Sequence, residues 1–170
     1  MNQKKQVTVT FPDGGSAVYP EGTLISAVGG ARGSDGSLPI AAVVNGTPVD
    51  LSTPVADDVK LEYIYPDSPR GEDIIRHSTS HIMAQAVQDT FAGVQVSIGP
   101  SIEDGFYYDF EYAETFTPQD LEKIEARMRQ IAKADTPFER REMSRAEAVA
   151  LFQKKGENYK VELINDLPSD

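Results

Sequence analysis

The chain has 170 residues, 39% of them hydrophobic and 25% charged, a balance that fits a globular protein with a real core and excludes a disordered one. A net charge of -11, with four basic and seven acidic side chains in residues 1–66 and twelve and twenty in residues 67–170, argues against generic binding to phosphate backbones in either stretch. There is no cysteine, which excludes a disulfide framework and any cysteine-based zinc site.

The polar start Met1-Asn2-Gln3-Lys4-Lys5 has no signal-peptide core behind it, and no apolar run approaches the length of a membrane span. No membrane partner is therefore expected. Gln6 to Phe11 alternates and is β-branched, breaks at Pro12-Asp13-Gly14-Gly15, and is followed at hairpin distance by Ser16 to Tyr19. Thr23 is placed to cap a short helix over Leu24 to Val28. Gly29, Gly30, Gly33 and Gly36 read as a loose connector, because they lack both the Gly-Lys-Ser/Thr ending of a P-loop and the strand-to-helix setting of a dinucleotide fingerprint. Pro39 to Val44 reads as a buried strand turning at Asn45-Gly46, Val49 to Leu51 returns, and Val59 to Ile64 alternates as a last strand.

Pro66-Asp67-Ser68-Pro69 interrupts regular structure twice, which puts a domain boundary at residues 66/67. A helix is predicted from Gly71-Glu72-Asp73 to Phe91, and it carries the only two histidines, His77 and His81, four positions apart and so on one face. At about 100° per residue, Ile75, Thr79, Ile82, Met83 and Ala86 fall on one side. His77, His81, Ala84, Gln85 and Gln88 fall on the other. The pair thus stands outside the apolar stripe, as expected of a polar cleft or a surface. By spacing alone it could be a solvated face, a metal site, or a pair that steers water or moves a proton. A zinc-protease pattern requires glutamate directly after the first histidine, and Ser78 stands there.

Further on, Val94 to Pro100 and Asp104 to Phe110 are predicted as strands joined by a turn. Thr117-Pro118-Gln119-Asp120 opens a helix whose core stripe is Leu121, Ile124, Met128 and Ile131. Phe138 to Met143 reads as an edge strand, and Ser144-Arg145-Ala146-Glu147 as the capping box of a helix reaching about Lys155. Gly156 stops that helix, and Asn158 to Ile164 reads as a final strand.

Two resemblances follow from these residues. Over residues 1–66, Asp13-Gly14, Pro20-Glu21-Gly22-Thr23 and Val44-Asn45-Gly46, in that order, resemble the TGS domain, a small ubiquitin-like β-grasp module. Residues 67–170 resemble the start of the editing domain of bacterial threonyl-tRNA synthetases. The match rests on His77-Ser78-Thr79-Ser80-His81, Ile98-Gly99-Pro100, Asp104-Gly105-Phe106-Tyr107-Tyr108-Asp109 and Gly156-Glu157-Asn158-Tyr159-Lys160-Val161. Alanyl-tRNA synthetases share the two-histidine helix, but a TGS-like module in front is the threonyl family's own order. The implied fold is α+β.

The resemblance implies an enzyme that attaches threonine to its tRNA using ATP and whose editing domain hydrolyses mischarged seryl-tRNA. A second site is needed because one missing methyl typically gives only about 1–3 kcal/mol of binding discrimination. It assigns His77, His81 and Lys160 as catalytic, Gly99 and Tyr108 as substrate-binding, and no metal to the pair. In the family a Cys-x-x-x-His element faces the two histidines. With no cysteine and no third histidine, the chain is expected to be an N-terminal part of such an enzyme, lacking half the pocket and inactive in aminoacylation. ATP, magnesium and zinc are expected in the family's aminoacylation core and none here. Expected partners are the acceptor end of threonine tRNA, the rest of the synthetase and, for the full-length enzyme, a second copy, all in the cytoplasm. The competing readings are a stand-alone TGS-type RNA-binding or regulatory module and a metal-dependent hydrolase using His77 and His81.

Overall fold

The computed structural model describes residues 5–29, 32–33, 36–97, 99–137 and 139–168. It is an α+β protein that divides into two compact units, Met1–Ile75 and Arg76–Asp170. Gly30, Ile98 and Phe138, which the sequence reading used, lie outside the described residues.

In the first unit, β1 (Gln6–Thr10), β2 (Ser16–Pro20), β4 (Ala41–Val44), β5 (Thr47–Val49) and β7 (Val59–Ile64) form a mixed sheet in the order β2-β1-β7-β4-β5. Only the central pairing of β1 with β7 is parallel. Two short strands, β3 (Thr23–Leu24) and β6 (Pro54–Val55), pair beside the sheet. Alternation works as the period of two requires: Val7 and Val9 point inward with Ile25, Val28, Ala42, Val55 and Leu61. Each of the valine, leucine and isoleucine side chains among them contributes about 1.5–3 kcal/mol of burial. The opposite face holds Ala41, Val43 and Ile64, against which Ile40 and Ile74 pack.

Asn45 and Gly46 both take the left-handed conformation, with φ of 50° and 89°, which a tight β4–β5 turn requires. Asn45 Oδ1 also accepts the Lys60 amide at 2.9 Å. The helix expected over Leu24 to Val28 is a single 3₁₀ turn, Ile25–Ala27, and Thr23 does not cap it. The Thr23 hydroxyl instead donates to the Pro20 carbonyl, because Thr23 is committed to β3. The Tyr63 hydroxyl lies 3.0 and 2.9 Å from the carbonyl oxygens of Ile25 and Val28, and burial pushes its pKa up to about 12.

The long helix α1 (Pro69–Thr90) begins two residues before the predicted start. The Ser68 hydroxyl accepts the Gly71 amide, and Gly71 sits so close to the Tyr65 carbonyl that no side chain would fit. The division between the units falls inside this helix.

The second unit adds β8 (Gln95–Val96), β9 (Ser101–Ile102), β10 (Gly105–Phe106) and β11 (Phe110–Glu111). They form an interrupted hairpin, β8 pairing with β11 and β9 with β10. The helices are α2 (Pro118–Ala134), α3 (Arg145–Lys154) and α4 (Asn158–Asp166). Its core is Ala86, Val87, Val94 and Ile124, ringed by Met83, Phe91, Phe110, Tyr112, Phe116, Met128 and Ile131. The capping box predicted at Ser144 and Glu147 forms on α3, and the helix start predicted at Thr117 closes a second one with Asp120 on α2.

Four expectations are corrected here. Asn158 to Ile164 is helical, not a strand. The alternation of Tyr159, Val161 and Leu163 suits a strand, but the amides of Lys160 and Val161 bond to the Glu157 carbonyl instead, and Arg145 receives the far end through the Leu167 and Pro168 carbonyls. Residues 139–143 form no strand and find no ladder partner among the described residues. Leu121 is 60% exposed, so the α2 stripe is Ile124, Met128 and Ile131 alone. On α1 the buried positions include Ser80, Ala84 and Val87, while Ile75 is exposed. The core therefore meets the helix along a line rotated from the one that hydrophobicity indicates.

Candidate functional site

His77 and His81 stand one turn apart on α1 with their Nε2 atoms 3.0 Å apart and their rings edge-to-face at 4.6 Å. Such a contact needs one ring nitrogen to donate and the other to accept. Although His81 keeps an edge open to solvent, desolvation of its ring lowers its pKa below the ordinary 6.5, and the neighbouring His77 and the Lys160 cation push the same way. At neutral pH the site holds an uncharged imidazole able to accept a proton.

Beneath the pair, Ser80 is fully buried. Its hydroxyl donates to the His77 carbonyl at 2.7 Å, with the Gly99 carbonyl as a second acceptor at 3.3 Å. This ties the histidine turn to the stretch after β8. Gly99 is buried, and a Cβ there would overlap three ring carbons of Tyr108. The room that the glycine leaves is thus taken by Tyr108. The ring lies edge-on to His81 at 6.2 Å and stacks on Phe110 at 5.5 Å. Burial raises the Tyr108 phenol, with Glu157 adding to the effect.

Lys160 stands on α4. Its ammonium pairs with Glu157 at 3.2 Å and lies 5.5 Å from the centre of the Phe152 ring. Glu157 in turn accepts from Gln88 Nε2 at 2.9 Å, linking α4 to the histidine helix. His77, His81, Gly99 and Tyr108 are therefore contiguous, and Lys160 is near enough for its charge to act on His81. Sequence reasoning missed Ser80, Gln88 and Glu157. Glu157 carried a signal, an acidic residue at the start of a segment with apolar residues four and seven positions on, but the strand reading hid it.

On the far side of His81 an open groove of about 560 Å³ runs between α1 and α2, lined by Ser78, Ile82, Gln85, Arg127 and Gln130 among others. Arg127 binds Asp89 of α1 through Nε and Nη2 at 3.0 and 2.8 Å. Among the described residues no group of three or more His, Asp or Glu side chains could hold a metal. A metal at the pair would have two protein ligands, too few for the usual zinc site.

Sequence comparison finds the chain similar to threonine–tRNA ligases, which it matches over their N-terminal part. It is 51% identical over 166 residues to the threonine–tRNA ligase of Citrifermentans bemidjiense, 97% of this chain and 26% of that protein. It is 47% identical over 165 residues to that of Maricaulis maris, and 44% over 164 residues to that of Coxiella burnetii. The chain spans about a quarter of the length of the curated relatives it matches. No family model matches it. Among the described residues no helix is long and apolar enough to cross a membrane.

Proposed function

We propose that the chain forms the front of a cytoplasmic threonine–tRNA ligase and that its second unit begins an editing site for mischarged seryl-tRNA. The observation that carries this reading is the hydrogen-bonded His77–His81 pair, packed against Tyr108 in a sequence that matches threonine–tRNA ligases over 97% of its length. In this reading the neutral imidazole takes a proton from the attacking water as it adds to the ester carbonyl. The Lys160 ammonium offsets charge developing on that oxygen. The other histidine orients the terminal ribose, whose oxygen leaves as a hydroxyl with the proton that the imidazole took from water. Gly99 and Tyr108 form the wall.

The first unit, with its mixed five-stranded sheet, is read as the TGS-type β-grasp module. Threonylation with ATP, magnesium and zinc belongs to the aminoacylation core of the full-length enzyme. That enzyme is read as a homodimer acting on threonine tRNA. The acidic charge weighs against a stand-alone RNA-binding module, and the two-ligand donor set against a metal-dependent hydrolase.

In the full-length enzyme, His77→Ala or His81→Ala should raise seryl-tRNA accumulation while threonylation persists. Unchanged accumulation in both variants removes the editing role.

A further inference from the structure

We infer that Glu157, anchored by Gln88, is the residue that positions the Lys160 ammonium in the candidate site. Glu157 occupies the N-cap position of α4, where a side chain ordinarily turns back to accept from the helix's own amides. It makes no such bond. Its two oxygens point elsewhere: Oε1 accepts from Gln88 of α1 at 2.9 Å, and Oε2 meets Lys160 Nζ at 3.2 Å. The Glu157 side chain is only 14% exposed and that of Lys160 36%. A carboxylate so far withdrawn from water is stable as an anion only if such donors surround it.

Gln88 lies seven residues beyond His81, two helical turns along the same helix. The Gln88–Glu157–Lys160 chain therefore fixes the ammonium to the element that carries the histidines. A lysine ammonium on a four-carbon stem has no geometric preference of its own. Without Glu157 its described polar partner is gone, and the Phe152 ring face alone remains beside it.

The test uses Glu157→Gln, which keeps the shape, still accepts from Gln88 and cannot pair with the ammonium. In the 170-residue chain, the ¹H–¹⁵N signal of the Lys160 ammonium should be visible in the wild type and lost in E157Q. A signal that persists unchanged overturns the proposal. The kinetic arm rests on the editing reading and uses the full-length enzyme. There E157Q should lower kcat for seryl-tRNA deacylation roughly 10- to 100-fold with KM little changed, the size expected when a catalytic group is misplaced. The double variant E157Q/K160M should be no slower than K160M alone, because a positioning residue has no effect once the group it positions is gone. Losses that multiply would mean that Glu157 acts on the fold at large, and would overturn the assignment. If H81A and K160M leave deacylation untouched, the editing reading fails, and the ammonium signal still decides the Glu157 link.

Discussion

Substituting Gly99 by alanine tests whether the glycine is required for space. Gly99 does not take a left-handed φ, so its backbone would accept a side chain. The obstacle is the Tyr108 ring, whose Cγ, Cδ2 and Cε2 atoms all lie within overlap distance of the new methyl. The ring has little freedom to retreat, being stacked on Phe110 and flanked by His81. Overpacking of this kind costs about 1–3 kcal/mol. A unit of this size loses about 4–8 °C in Tm per kcal/mol, so thermal unfolding followed by circular dichroism would resolve the change. The displaced ring also uncovers His81. Because desolvation is the largest cause of the lowered His81 pKa, the G99A titration followed by NMR should shift upward toward 6.5. A G99A protein with unaltered Tm and unaltered His81 titration would refute the packing argument.

Two further outcomes follow from the geometry. His81 in the folded chain should titrate below 6.5, and His77→Ala should raise that value by removing the second largest cause. Because the unfolded state then binds more protons than the folded state, this group's contribution to stability is present above pH 6.5 and is lost as pH falls through the folded pKa, a slope that denaturant melts across that window can measure. Asn45→Ala should destabilise the first unit by about 1–2 kcal/mol, combining the left-handed backbone with the lost bond to the Lys60 amide. Asn45→Gly should recover the conformational part, and urea titration of both variants separates the two contributions.

What could be read in the sequence was what local chemistry decides. Asn45-Gly46, Thr117 with Asp120, and Ser144 with Glu147 each specify a backbone geometry within a few residues, and each forms. The His77–His81 contact is likewise a matter of helical pitch. Where two periods competed, the reading failed. Residues 158–166 carry alternation and a three- and four-residue spacing together, and the helical spacing prevails. The turn at Ile25 shrank because β3 claimed Thr23 and Leu24 through pairing with a segment about thirty residues away. In the site, the approach of Tyr108 to Gly99 depends on how the hairpin folds back, and the Gln88–Glu157 bond on how α4 meets α1. Neither relation has a local signature.

Ser80 bears on how α1 could evolve. Among the described residues it is the single polar residue that is fully buried, and its hydroxyl reaches one carbonyl within its own helix and another outside it. That outside bond sets the rotational phase of the helix. A shift of one residue in register would turn the histidines through about 100° and carry the hydroxyl away from the Gly99 carbonyl, leaving only its bond within the helix. Insertions or deletions between residues 80 and 99 are thus constrained by a bond that carries no chemistry, and alanine at position 80 would loosen the orientation of the pair before it loosened the fold.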